Sequence, residues 1–212
     1  MTTFLNNPVK CPMCGYEWSE VELGSTNEFG SPDLDTRPPE MMRSTMAYWI
    51  SECPECGYVA ADMERMPMIR KSFIEKEAYK TCDGFDFVSN LSRAFYRYYL
   101  ILRKKHRNKD AIFALLHTIW TCDDANDPNA VVLRQRLAEI IERRLSIKRN
   151  ESLDLIRADL LRRSGQFERL IDEYKDKKYS ENLLNNIIKF QIKLAEEKDD
   201  KCHLVSEAEY ME

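Results

Sequence analysis

Apolar side chains recur with a helical period along most of the chain after residue 66. Between residues 87 and 102 they return every three or four positions, which predicts a helix of about five turns that Asp86 caps. The same spacing predicts further helices over residues 68–80, 109–121, 129–147, 153–163, 166–174 and 182–197. Because the connections between them are short, we expect antiparallel neighbours.

The pattern before residue 65 is shorter and partly alternating, which is typical of strands. It predicts a loose lead-in over residues 1–9 and strands over residues 16–23, 44–50 and 58–60. Residues 24–40 are rich in Gly, Ser, Asn, Asp and Pro, and turn formers at this density predict a long loop.

One predicted helix pair resembles a tetratricopeptide repeat. The small residue, the aliphatic residue, the turn glycine and the two packing aromatics of that repeat correspond to Ala158, Leu161, Gly165, Phe167 and Tyr174. Leu170 departs from the alanine of the repeat, so we expect wider helix contacts there. The remaining helix pairs fit the repeat less well.

The predicted fold class is therefore mainly α. A small zinc-ribbon-like β module with a long Pro/Asp loop is expected over residues 1–65, and an antiparallel, tetratricopeptide-like helical stack over residues 66–200. Residues 201–212 are predicted to form a frayed acidic tail.

Two segments repeat the phrase Cys-Pro-x-Cys-Gly, namely residues 11–15 and 53–57, which we call hook 1 and hook 2. Two such pairs complete a tetrahedral site, and four thiolates typically hold a structural zinc ion. The predicted metal ligands are Cys11, Cys14, Cys53 and Cys56. A redox dithiol is the alternative, but it would need only one hook. A catalytic zinc would need an open position, which four thiolates close.

The hooks are separated by 38 residues, whereas simple ribbons separate their pairs by about 15–20. The extra length is the Pro/Asp loop, in which Asp33, Asp35 and Arg37 are candidates for a polar recognition site. The alternative is that these side chains bond to the loop backbone or cap turns, which is the more common role of such residues.

The other candidate chemistry is scattered. Cys82, Cys122 and Cys202 are expected to be ordinary thiols, and His106, His117 and His203 lie too far apart in the sequence to suggest a catalytic set. The sequence has no nucleophile elbow, phosphate loop or metalloprotease pair. We therefore expect no catalytic residues and no enzyme activity.

The apolar runs and the N-terminal sequence indicate in which compartment the protein is expected. No apolar run approaches the roughly 20 residues of a membrane span, and the N-terminus lacks a charged-then-apolar signal pattern. We expect a cytoplasmic protein with reduced thiols, which suits metal binding better than disulfides.

Charge is distributed unevenly along the chain. Of the net charge of −4, residues 1–65 contribute −7 and the remainder +3. An acidic metal module argues against phosphate backbone as its partner. The helical part has a surplus of basic residues that is a possible nucleic-acid face: Arg93, Arg97, Arg103, Lys104, Lys105, Arg107, Arg134, Arg136, Arg143, Arg144, Lys148 and Arg149.

The whole chain resembles a bacterial family of unknown function. The likeness lies in hook 1, the acidic and proline-containing insert of residues 33–39, Tyr48-Trp49, and hook 2 followed by Tyr58, with repeat-like helices after them. The resemblance is close over roughly the first 60 residues. It implies a metal-binding module fused to a helical scaffold and implies no activity.

Two functions remain as hypotheses beside the weaker possibility of an enzyme. The first is a non-catalytic scaffold or adaptor with one structural zinc ion, whose helical grooves bind a protein or peptide. The second is a nucleic-acid-associated regulator that uses the basic helical residues.

Overall fold

A computed structural model describes residues 2–67 and 69–209 of the chain. The chain is mainly helical, with small antiparallel strand pairs near the N-terminus, as the sequence predicts. It divides into two compact units. Unit 1 contains residues 1–28 and 40–130, and unit 2 contains residues 29–39 and 131–212.

The strands of unit 1 flank the hooks. Strand β1 (Thr3–Lys10) pairs antiparallel with β2 (Glu17–Ser25) on either side of hook 1, and β3 (Ser51–Glu52) pairs with β4 (Val59–Ala60) around hook 2. Each hook therefore lies between the two strands of an antiparallel pair. The lead-in predicted as loose over residues 1–9 is instead β1, because it pairs along its length with β2.

The prediction of a strand over residues 44–50 is also wrong. Arg43–Tyr48 forms a 3-10 helix. The hydroxyl of Thr45 donates to the Met42 carbonyl at 2.7 Å and accepts from Trp49 Nε1 at 3.0 Å. These local bonds stabilise a helical turn where the side-chain pattern alone favours a strand.

The described part of unit 1 also contains the α-helices α1 (Lys71–Ile74), α2 (Glu77–Lys80), α3 (Asn90–Lys104) and α4 (Asn108–Asp124), with a 3-10 turn over Cys82–Gly84 between α2 and α3. The single helix predicted over residues 68–80 is divided, because Lys76 has an extended backbone, and Met68 lies outside the described residues. The cap of α3 is Ser89, whose hydroxyl accepts from the Leu91 N–H at 3.1 Å, and not Asp86.

Helices α3 and α4 pack along each other and form the core of unit 1. His117 of α4 lies among the rings of Trp49, Phe95 and Trp120, with centroid distances of 5.2, 5.4 and 4.9 Å. Burial lowers the pKa of His117 to about 4, so its imidazole is neutral at neutral pH.

Unit 2 contains α5 (Asn129–Leu145) from Val131 onward, α6 (Glu151–Arg163), α7 (Phe167–Tyr174), α8 (Asn182–Glu196) and the short α9 (Val205–Ala208). Helices α6, α7 and α8 pack against one another. These bounds agree with the predicted helices to within two residues, except for α9, which the sequence pattern did not indicate.

The Pro/Asp loop belongs to unit 2. The Leu34 N–H donates to the His203 carbonyl and the Val205 N–H to the Pro32 carbonyl, both at 2.9 Å, and Asp33 forms a β-bridge with Leu204. The tail predicted to fray over residues 201–212 is therefore ordered through residue 209, and residues 210–212 lie outside the described part.

The structural division thus differs from the predicted boundary at residues 65 and 66. Hook 2 packs with α3, and the loop between the hooks packs with the C-terminal segment. Both assignments depend on contacts between residues that are far apart in the sequence, and such contacts cannot be read from composition. In the described part of the chain, no helix combines the length and apolar character needed to cross a membrane.

A pH dependence of stability follows from His117. Its folded-state pKa of about 4 lies below the unfolded value near 6.5, so the unfolded chain binds the extra proton between these values. Stability is therefore complete above about pH 6.5 and falls as the pH drops toward 4, by about 3 kcal/mol from this group.

We expect urea unfolding between pH 7 and pH 4.5 to show this loss in the wild type. His117→Phe should flatten the curve, because phenylalanine keeps the ring packing without a titrating group. His106→Asn, at an exposed position, is the control. Curves of equal slope for His117→Phe and wild type would contradict the assignment.

Candidate metal centre

The two hooks have the same backbone hydrogen bonds. In hook 1 the Cys11 N–H donates to the Tyr16 carbonyl at 2.8 Å and the Gly15 N–H to the Cys11 carbonyl at 2.9 Å. In hook 2 the equivalent bonds, from Cys53 to Tyr58 and from Gly57 to Cys53, are both 2.9 Å. Equal local sequences thus fold into equal turns, each flanked by a strand pair.

The glycine of each hook has a left-handed backbone, with φ of 79° at Gly15 and 68° at Gly57. L-residues rarely adopt this conformation, which explains why glycine ends both phrases. At Gly57 an added Cβ would also approach Arg97 Nη1 to 3.3 Å. At the second glycine a side chain would therefore meet an unfavourable backbone conformation and would also displace the Arg97 guanidinium slightly.

The four sulfur atoms face one point. Cys11 Sγ lies 3.7 Å from Cys56 Sγ and Cys14 Sγ lies 3.7 Å from Cys53 Sγ, so each close pair joins one hook to the other. All four sulfurs lie within 4.8 Å of one another, and all four cysteines are free thiols. Four thiolates about 2.3 Å from one tetrahedral ion would lie about 3.8 Å apart. The observed spacing therefore fits one four-coordinate metal ion.

The environment of these sulfurs discourages free thiolates at two positions. Burial raises the pKa of Cys53 and of Cys56, most strongly that of Cys56. At Cys14 burial acts in the same direction, but hydrogen bonds from the Tyr16 backbone and the other cysteines outweigh it and lower the pKa. The backbone N–H of Met13 also points at Cys11 Sγ at 3.4 Å. A bound cation would favour the ionised form at all four positions.

Helices α2 and α3 brace hook 2. The Arg97 guanidinium forms an ion pair with Glu52 of β3 and donates to the Lys80 carbonyl at 3.0 Å. It also lies over the ring of Tyr79, 5.5 Å from the centroid. The Tyr79 hydroxyl in turn donates to the Gly57 carbonyl at 2.7 Å. Sequence reasoning missed these supporting residues, because nothing local to Arg97 or Tyr79 indicates their partners.

The Pro/Asp loop residues are buried, with exposed fractions of 2% for Asp33, 1% for Asp35 and 7% for Arg37. Asp35 Oδ1 accepts a hydrogen bond from the Arg37 N–H at 3.2 Å. Asp35 Oδ2 forms an ion pair with Arg163 Nη1 of α6 at 3.4 Å. This arrangement matches the alternative weighed for these residues, in which they bond to the loop backbone. A recognition site formed by these three side chains would require them to become exposed.

The remaining cysteines and histidines lie apart from the four-sulfur cluster. Cys82 and Cys122 are buried free thiols, and Cys202 Sγ donates to Asp33 Oδ2 at 3.0 Å. His203 lies between Asp199 and Glu207, at 3.2 and 2.9 Å. Among the described residues, the hook cysteines form the one cluster of potential metal ligands.

The basic residues predicted as a possible face are divided equally between the two units. Arg134 is buried, and others are used in ion pairs: Arg97 with Glu52, Arg107 with Asp110, Arg143 with Glu139 and Arg149 with Glu151. Lys104 and Lys105 form no ion pair among the described residues.

Unit 2 contains a cavity of about 470 Å³ that the sequence did not indicate. Arg157 of α6 lies in its wall, with an exposed fraction of 2%, and its guanidinium contacts Glu173 at 2.5 Å and Glu142 at 3.3 Å. Asp154 accepts from Lys177 and Tyr179, both at 2.9 Å. We call this the mixed-charge cavity, because cations and carboxylates alternate around it.

Fold and site together define a mainly helical protein with an N-terminal four-cysteine cluster suited to one tetrahedral metal ion. The chain belongs to the family described as "Uncharacterized protein conserved in bacteria (DUF2225)", whose model matches residues 4–202. The match confirms the resemblance seen in the sequence and includes both hooks, the loop and the helices. No curated protein and no solved structure matches the chain.

We expect purified protein to contain one tightly bound metal ion per chain. Cys14→Ser should remove it, because serine is a poor ligand for soft metals and leaves a three-sulfur site. Elemental analysis of the two proteins is the measurement, and Cys202→Ser, outside the cluster, is the matched control. A metal-free wild type that is fully folded would contradict this prediction.

Arg97→Met should weaken metal retention without removing a ligand. The variant leaves Glu52 without its partner and loosens hook 2, and supporting contacts of this kind typically change metal affinity by about 10–100-fold. Competition with a chromogenic chelator measures the change. Arg107→Met, which removes an exposed ion pair, should behave like the wild type, and equal effects of the two variants would refute a bracing role.

Proposed function

We propose that this protein is a non-catalytic scaffold or adaptor, in which a structural zinc ion holds the hooks and helical unit 2 binds a protein or peptide. The support for a structural role is the ligand set. Four sulfurs fill the four positions of a tetrahedral ion and leave no position for a substrate.

Zinc is the proposed metal because four thiolates in a tetrahedral arrangement favour zinc or iron. The proposal includes a reducing, cytoplasmic location, since exposed thiols would otherwise be open to oxidation. Metal analysis distinguishes zinc from iron directly, and an iron protein would also absorb visible light.

The mixed-charge cavity is the observation that carries the binding role. Its volume lies in the range of about 300–1,000 Å³ that ligand sites occupy. Its walls come from α5, α6, α7, the connection between α5 and α6 and the segment after α7, so several parts of unit 2 contribute to one concavity. A peptide segment with side chains of both signs is the partner that such walls suit.

The α6–α7 pair gives further support. Ala158, Leu161 and Tyr174 are buried, and Gly165 has a left-handed φ of 74° at the turn between the helices. This is how a helical repeat uses its small residue, its turn glycine and its packing aromatic. Stacked helical pairs of this kind present concave surfaces to extended partners.

The experiment is crosslinking and mass spectrometry in the native bacterium with wild type and two charge-reversal variants. Lys178 is exposed at the cavity, so Lys178→Glu should reduce recovery of a cavity partner several-fold, by reversing a charge the partner meets. Lys189→Glu makes the same charge change on α8, away from the cavity, and should not.

Crosslinked peptides from the partner should map to the cavity residues. The proposal fails if partners are recovered equally with both variants, or if their crosslinks lie elsewhere. Retention of the protein on RNA that collapses between low and moderate salt would favour the nucleic-acid hypothesis instead.

A further inference from the structure

We propose that unit 1 has a second binding site, a cavity of about 300 Å³ that takes a small organic phosphate. We call it the basic cavity. Its cationic side chains are Lys76, Arg103 and Lys104, with His106 beside them, and the carboxylate among the lining residues is Asp83.

Two of the three cations of the basic cavity lack carboxylate partners, and the charge of Asp83 acts on the third, Arg103. Within the described residues, Lys76 and Lys104 form no ion pair or side-chain hydrogen bond. Arg103 contacts the Tyr99 hydroxyl at 3.4 Å and lies 5.5 Å from the centre of that ring. Asp83 accepts from the Tyr96 hydroxyl at 3.3 Å. The lining therefore has a surplus of positive charge, in contrast to the mixed-charge cavity, whose charges are largely paired.

The dipole of α3 accounts for only part of this surplus. Arg103 and Lys104 lie in the last turn of α3, where cations are favourable. Lys76, however, comes from the junction between α1 and α2. Bringing a third cation from another element to the same cavity adds repulsion, which a bound anion would relieve. A phosphate ester, with close to two negative charges and three acceptor oxygens, offers the best match.

The floor of the basic cavity is apolar and suits the organic part of such a ligand. Phe73 and the nearly buried Leu100 contribute to it, with exposed fraction 7% for Leu100. The volume is at the lower end of the range for ligand pockets. It has room for a small molecule such as a sugar phosphate or a nucleoside monophosphate, and not for a folded partner.

Two lining residues have left-handed backbones, Asp83 with φ of 55° and His106 with φ of 57°. Such conformations cost energy for residues other than glycine and tend to collect at binding sites, although Asp and His tolerate them better than most residues. They fix the turns before and after α3 from which these two side chains reach the cavity.

The basic cavity also adjoins the support of hook 2. Tyr79 lies in its wall and donates its hydroxyl to the Gly57 carbonyl at 2.7 Å. Loss of the metal should therefore weaken ligand binding as well, whereas ligand binding does not require a partner for unit 2. The proposed ligand site can therefore be confirmed or rejected independently of the proposed adaptor function.

Isothermal titration of the metal-loaded full chain with adenosine monophosphate, glucose 6-phosphate and inorganic phosphate tests the proposal, with adenosine as the uncharged control. We expect at least one organic phosphate to bind below about 1 mM and more tightly than inorganic phosphate. Lys76→Gln and Lys104→Gln should each weaken it about fivefold to tenfold, and Lys109→Gln, an exposed lysine of α4 outside the cavity, should not.

The proposal is overturned if none of these phosphates binds, or if Lys76→Gln and Lys104→Gln bind as the wild type does. Binding of adenosine equal to that of its monophosphate would overturn it too. A single-stranded oligonucleotide is the last probe: binding of the oligonucleotide without binding of any small phosphate would assign these cations to nucleic acid and reject the small-molecule site.

Discussion

The closure of hook 1 onto hook 2 is the interaction on which the N-terminal structure depends. Strands β1 and β2 are exposed on most of both faces, and β3 and β4 are two residues each, so these pairs bury little apolar surface of their own. Hairpins without a covered face are marginal in water. The cross-hook sulfur pairs supply the missing restraint, because one ion would join residues separated by the whole loop.

That restraint reaches the helices through a few polar contacts. Arg97 ties β3 to α3 through Glu52, and Tyr79 ties α2 to the turn of hook 2 through the Gly57 carbonyl. Both side chains are substantially buried, so loss of a partner would leave a buried polar group unpaired and lower the free energy of unfolding. The four-cysteine cluster therefore belongs to the same compact unit as helices α1 to α4. The ends of the Pro/Asp loop leave unit 1 at residues 28 and 40, while its middle pairs with the C-terminal segment in unit 2.

The sequence predicted what local pattern controls. The spacing of the hook cysteines predicted the cluster, and the apolar period of α3 to α8 predicted those helices closely, because each helix carries its own stripe. The prediction failed where pairing with residues far away in the sequence determines the local structure. The Thr3–Lys10 segment becomes a strand only beside β2, and residues 200–209 become ordered only beside residues 31–37. Both cavities were also missed, because Lys76 and Lys104, or Asp154 and Lys177, meet only after the helices pack.

The placement of charge explains why a closed metal site can still matter for function. Under the proposed function, four sulfurs around one ion leave no open coordination position, and the binding role rests on the helices. In unit 1 the link is short: the Tyr79 hydroxyl donates to the Gly57 carbonyl of hook 2, and the same residue lines the basic cavity. The proposed coupling between the metal and an anion in this cavity runs through Tyr79, and coupling between two binding equilibria is reciprocal. An anion held in the basic cavity would therefore strengthen metal retention to the same extent that the metal strengthens anion binding.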